Sequence, residues 1–285
     1  MTRSRFVTLL FCLVLAAAVS CTQALAGEFV TFNSAAYRVG LLQQRAAQAL
    51  GETALPTPGP AIRGYFAKPD GTGPFAAVVV LHGCGGGTDA SLSAAAQGIA
   101  SLGYAALAVD SFTTRGIREA CDRMPPDRLA DAAGALAYLA QSSDIDPKRI
   151  ALLGFAQGGS VTLSAASAQL GDLFALPGGL HFKAAIAFYP DCHVLDDQFN
   201  EPGLIMIGDA DDWASVKHCQ YFMARRAGRG APVQLIVYPG AYHAFDVPAL
   251  GDGVMAYGHW LKYDAAASAA SERELVDFLK EQLAP

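Results

Sequence analysis

The stretch Gly154-Phe155-Ala156-Gln157-Gly158-Gly159 constrains this chain more than any other. An apolar run of strand length, residues 149–153, leads into it. Residues 158–170, rich in Ala, Ser and Leu, follow it and read as a helix. A buried strand that turns at once into a helix needs small residues on both sides of the bend, because the two elements pack closely there. The pattern Gly-x-nucleophile-x-Gly uses such a bend to lift one side chain above a sheet. A catalytic version carries Ser or Cys at its centre, where this chain has Ala156. A methyl group cannot attack a carbonyl. The scaffold points to chemistry, and its central residue to the loss or alteration of that chemistry.

The rest of the pattern suits such a turn. Residues 61–67, 76–81, 104–109, 184–188, 204–207 and 233–237 read as further strands, most of them wholly apolar. Residues 91–102, 127–141, 215–227 and 266–283 read as helices between or after them. Strands this apolar are buried on both faces, and regular strand–helix alternation implies a parallel sheet with helices on either side. The expected class is α/β: a doubly wound, mostly parallel sheet. In such sheets the loops after the strand ends build the functional site. Upstream, residues 28–33 read as an edge strand, 35–50 have helical spacing, and 52–60 form a Pro-rich connector.

The N-terminus reads as a targeting segment. Arg3 and Arg5 precede an apolar stretch over 6–19, and Ala24-Leu25-Ala26 has the small-x-small form of a cleavage site. Residues 1–26 are thus expected to be a signal peptide, 27–60 an N-terminal extension and 61–285 the main domain. This predicts a periplasmic or secreted protein, with no stable membrane insertion after cleavage, since the apolar stretch is short for a span. A lipoprotein site at Cys21 is the weaker reading, because Ala18 is a poor match for the large aliphatic residue expected there. Removing 26 of 285 residues leaves 259, the size of one large α/β domain. It also takes two arginines and no acid, moving the net charge from −6 to −8. That balance argues against a nucleic-acid partner.

Cys84, Cys121, Cys192 and Cys219 remain after cleavage, and an exported protein can oxidise them in any of three pairings. Cys84–Cys121 and Cys192–Cys219 are favoured, since each pair would sit on loops at the sheet end that carries the site. A zinc site of Cys192, His193, His218 and Cys219 is the rival reading. Its residue types suit zinc, but adjacent Cys and His are not the usual spaced ligand pair.

A turn of this kind needs an acid and a base after the nucleophile in chain order. Asp211 follows the strand at 204–207, and His243 follows the strand at 233–237. His243 would be the general base, with Asp211 fixing its tautomer. Asp209 and Asp212 are rival orienters, Asp212 the stronger. The run Leu81-His82-Gly83-Cys84-Gly85-Gly86-Gly87 would let backbone N–H groups approach a developing oxyanion. The donors expected are the amides of Cys84 and Gln157. A phosphate-loop reading fails because no Gly-Lys-Ser/Thr follows. His82 reads as a structural histidine shaping the loop. Arg115, Arg118 and Arg123 could receive a substrate carboxylate, and Ser111 and Trp213 join Arg115 as expected substrate-contacting residues.

The chain resembles the dienelactone hydrolase family of the α/β-hydrolase superfamily, from about residue 61 to the C-terminus. The resemblance rests on 81–86, Val109-Asp110-Ser111-Phe112, the elbow at 154–159, Phe188-Tyr189-Pro190, 208–213 and His243-Ala244-Phe245-Asp246. It implies hydrolysis of small-molecule esters or lactones with no metal or organic cofactor, and it assigns Asp211 and His243 as acid and base. The nucleophile does not transfer to Ala156. Ser111, Ser160, Cys84 as a free thiolate, or water activated by His243 are the substitutes the sequence offers. The alternative is a non-catalytic protein that uses the same pocket to hold a small carbonyl ligand.

Overall fold

The computed structural model describes residues 27–123, 125–167, 170–193 and 198–285; the expected signal peptide and Cys21 lie outside them. Strands β1 (Gly27–Asn33) and β2 (Ala61–Ala67) pair antiparallel at one edge of an eight-stranded sheet. Helix α1 (Leu41–Ala49) lies between them. Then come β3 (Phe75–Leu81), α2 (Asp89–Ser101), β4 (Ala105–Asp110), α3 (Arg128–Leu139) and β5 (Ile145–Phe155). They are followed by α4 (Gln157–Ser167), α5 (Leu170–Leu173), β6 (Ala184–Phe188), β7 (Gly203–Gly208), α6 (Val216–Arg226) and β8 (Val233–Tyr238). A hairpin of β9 (Val254–Ala256) and β10 (His259–Leu261) precedes the last helix, α7 (Ala265–Gln282).

The sheet order is β1-β2-β4-β3-β5-β6-β7-β8. β2 runs antiparallel to β4, and every pair from β4 to β8 is parallel. The apolar strands are buried on both faces, as a doubly covered parallel sheet requires. Val78, Val80, Ala106, Ala108 and Leu153 pack with Leu92 and Ile99 of α2 and Leu275 and Leu279 of α7. The alternate set, Val79, Leu107, Val109 and Leu152, packs with Leu136 and Leu139 of α3. Each of the Val, Leu and Ile side chains contributes about 2 kcal/mol of burial.

The structure corrects one element upstream. Residues 35–40 are extended rather than helical, and the helix begins only after Gly40. Their backbone groups are taken by tertiary partners: Ala35 N–H donates to Ala130 O at 2.8 Å and Arg38 N–H to Leu173 O at 2.9 Å. The segment at 27–33 adds a strand to the main sheet.

Candidate active site

β5 ends at Phe155, α4 begins at Gln157, and Ala156 between them has φ 49°. A side-chain-bearing residue is rare in this region, and its presence marks a forced turn. The crossing at the turn is close enough to require the glycines. A Cβ on Gly154 would sit 2.2 Å from Gly158 O, and one on Gly158 2.5 Å from His82 O. The Ala156 N–H donates to Phe188 O at 3.0 Å, anchoring the apex to β6.

Asp211 and His243 meet on the loops after β7 and β8. His243 Nδ1 lies 2.8 Å from Asp211 Oδ2, and both side chains are buried. The second carboxylate oxygen, Oδ1, accepts the N–H groups of Trp213 at 2.9 Å and Ala214 at 2.8 Å. With Asp211 fixed in this way, its remaining oxygen holds a proton on Nδ1 and leaves Nε2 as the basic atom. The rival aspartates are engaged elsewhere: Asp209 accepts Gly240 N–H and Asp212 accepts Trp260 N–H. The His243 ring packs against Tyr189, at a centroid distance of 4.7 Å, and Trp213, at 5.1 Å.

A cavity of about 400 Å³ opens over this pair. Cys84, Ala156, Trp213 and His243 all line it, with Phe155 and Leu92 among its apolar walls. The structure does not bring Arg115 or Ser111 to this lining. Arg115 bonds through both terminal nitrogens to Asp131, and also to Ser34 Oγ and Ser111 O, beside a separate cleft near Tyr37. This corrects its assignment as a substrate anchor, because its guanidinium is committed to a buried carboxylate. Arg123 pairs with Glu119 in solvent, and no lysine or arginine is among the residues lining the cavity. Ser111 Oγ is buried and makes no hydrogen bond among the described residues.

Both expected disulfides are present, Cys84–Cys121 and Cys192–Cys219. Closing loops of 37 and 27 residues, each constrains the unfolded chain by about 4 kcal/mol. They correct the zinc reading as drawn, since bridged sulfurs offer no thiolates, and they exclude Cys84 as a nucleophile. Ser160 is also occupied, accepting Asp191 N–H at 3.0 Å and facing Ala156 O.

Sequence reasoning missed three parts of the site. Arg128, buried at the start of α3, donates to Gln157 Oε1 at 2.9 Å and to His82 O at 2.5 Å. It thereby braces the turn and the glycine-rich loop together. Burial lowers its guanidinium to about 10, so it stays charged at neutral pH. Tyr189 donates to Asp246 Oδ1 at 2.8 Å beside His243. Burial pushes the Tyr189 hydroxyl well up, and burial likewise raises the Asp246 carboxyl. The β9–β10 hairpin contributes Ala256, Tyr257 and Leu261 to the cavity. Its turn residues Tyr257 and Gly258 both have positive φ, and Tyr-Gly is a weak form of the two-residue hairpin signal.

His82 lies at the cavity wall and holds the glycine-rich loop in shape. Its Nδ1–H donates to Gly83 O, so Nε2 accepts Ser111 N–H at 3.3 Å. Burial first, then the nearby Arg128 charge, lowers its pKa to about 4. Asp110 closes the neighbouring turn by accepting Phe112 and Thr113 N–H and pairing with Arg63.

This strand order, with a strained turn after β5 and a buried Asp–His pair on the loops after β7 and β8, defines the α/β-hydrolase fold. The model of the dienelactone hydrolase family matches residues 62–283, and the chain belongs to that family. Over 194 residues it is 28% identical to a probable 2-oxo-3-(5-oxofuran-2-ylidene)propanoate lactonase of Bradyrhizobium, covering 64% of this chain and 77% of the relative. A putative carboxymethylenebutenolidase of Yersinia pestis is 26% identical, with coverages of 69% and 78%. A crystal structure of a dienelactone hydrolase-like promiscuous phosphotriesterase from metagenomic libraries superposes with a TM-score of 0.61 at 20% identity. That match covers 90% of this chain and 99% of the other. Among the described residues, no helix is long and apolar enough to cross a membrane.

Proposed function

We propose that this chain is an exported hydrolase of small carboxylic esters or lactones whose elbow nucleophile is replaced by Ala156. The observation that carries the reading is His243, held by the buried Asp211 and lining one cavity with the strained turn at Ala156. The general base and its orienting carboxylate remain, while the atom that would attack is missing. The amides of Cys84 and Gln157 are the oxyanion donors in this reading. Gln157 opens α4, where backbone N–H groups lack partners within the helix. Losing the nucleophile from such a triad costs about 10⁶-fold in kcat. Turnover in this chain is therefore negligible or rests on water activated by His243.

The ligand class follows from the walls. A cavity of about 400 Å³ with apolar sides suits a small ligand. With no lysine or arginine lining it, an uncharged ester or lactone suits it better than an anionic one. The lactonase and carboxymethylenebutenolidase relatives support the acyl class. The two disulfides and the N-terminal signal-like segment support export.

The test is hydrolysis of neutral p-nitrophenyl esters and simple lactones by the chain and by Ala156→Ser. The expected result is near-background turnover in the first and a gain of at least about 10³-fold in the second. Equal rates in the two proteins would overturn the reading.

A further inference from the structure

The loop after β6 and the first turn of α6 place Asp191, His193 and His218 together on the surface. One ligand atom from each lies within 4.8 Å of the others. His193 Nδ1 is 2.8 Å from Asp191 Oδ1, His218 Nδ1 is 3.4 Å from the same oxygen, and the two imidazole centroids are 3.9 Å apart. All three side chains are substantially exposed, so an ion can reach them from solvent without an entry path.

We propose that these three residues form a binding site for a borderline divalent transition-metal ion, with zinc as the representative. Two imidazoles and one carboxylate are the donor set that favours such ions over magnesium or calcium, which require mostly oxygen. Tetrahedral zinc holds nitrogen and oxygen at about 2.0–2.2 Å, which sets ligand atoms about 3.4 Å apart. Rotation of exposed side chains reaches that spacing. The fourth position is left to water, as in other three-ligand sites.

The backbone beneath is already fixed. Cys192 sits between Asp191 and His193, Cys219 follows His218, and these two cysteines are bridged with their Cα atoms 4.9 Å apart. The bridge thus holds the two histidine-bearing segments side by side before any ion arrives. Asp191 is further pinned by its N–H bond to Ser160 Oγ on α4. The cysteines act as the frame of the site and the histidines as its ligands. A bound ion would add a second tie between the β6 loop and α6.

The experiment is calorimetric titration of the full disulfide-bonded protein with zinc chloride, without a histidine tag. Thiol reductant is left out, because freed Cys192 and Cys219 would supply thiolate ligands of their own. One zinc per chain is expected. The affinity should fall at least about tenfold in His193→Ala and in His218→Ala, and in Asp191→Asn. Circular dichroism and melting of these surface variants should match the parent. Absence of saturable binding overturns the proposal. So does binding that survives in the His193→Ala/His218→Ala protein, which would place the ion elsewhere, for example near His243. Full affinity in Asp191→Asn would equally overturn the three-ligand assignment.

Discussion

Arg128 reaches Gln157 from inside the protein, donating to its Oε1 at 2.9 Å, while its other terminal nitrogen donates to His82 O. One buried cation thus ties the first residue of α4 to the glycine-rich loop after β3. Gln157 completes the link by donating to Ala120 O, next to the bridged Cys121. The two proposed oxyanion donors are set at their spacing by a residue that does not line the cavity.

Replacing Arg128 by Met should therefore act in two ways. Two buried acceptors lose their donor, which should destabilise the fold by about 3 kcal/mol in denaturant titrations. In the Ala156→Ser background the same change should lower kcat more than it alters KM, because the donors serve the transition state. An unchanged kcat in a folded variant would remove Arg128 from any positioning role.

Asp211→Asn, again with Ser at 156, tests the acid. Asn can still accept Trp213 and Ala214 N–H, but its amide group would face His243 Nδ1 with a donor. The imidazole would then take the wrong tautomer, and kcat should drop by about 10⁴-fold. Asp212→Asn should leave kcat nearly unchanged, since Asp212 accepts from Trp260 N–H instead.

His82 predicts a pH dependence of stability. Its folded pKa of about 4 lies below the ordinary 6.5, so between these values the unfolded chain binds a proton that the folded chain does not. Its contribution is complete above pH 6.5 and is lost as pH falls from 6.5 towards 4, reaching about 3 kcal/mol at the limit. His82→Gln keeps a donor for Gly83 O and an acceptor for Ser111 N–H but cannot titrate. Urea midpoints measured at pH 7 and 4.5 should fall less in the variant than in the parent.

The sequence carried the fold through its apolar strands and their regular helices, and it carried the order of Ala156, Asp211 and His243 along the chain. It favoured Asp211 as the orienting carboxylate but kept Asp209 and Asp212 as rivals. That choice depends on which carboxylate the turn after β7 aims at His243, a tertiary fact. Arg115 and Arg128 show the same limit from opposite sides. Arg115, expected to receive a substrate carboxylate, is paired with Asp131, whereas Arg128, which carries no sequence signal for a role, is buried behind the site. Residues 35–40 have helical spacing, yet contacts to Ala130 and Leu173 override it. The β9–β10 hairpin was missed because three-residue strands leave almost no alternation to read.

That hairpin separates two jobs in space. The turn at Ala156 and the glycine-rich loop spring from adjacent strands β5 and β3, whose spacing of about 4.8 Å the hydrogen-bond ladder dictates. Neither can move by a residue without turning its side chains to the wrong face. Ala256 and Tyr257 belong instead to a small ribbon outside the main sheet, and Tyr257 is half exposed. Lengthening or exchanging its tip would reshape the cavity mouth while leaving β3 and β5 in register. The cavity mouth is thus an interchangeable fitting mounted on a fixed frame.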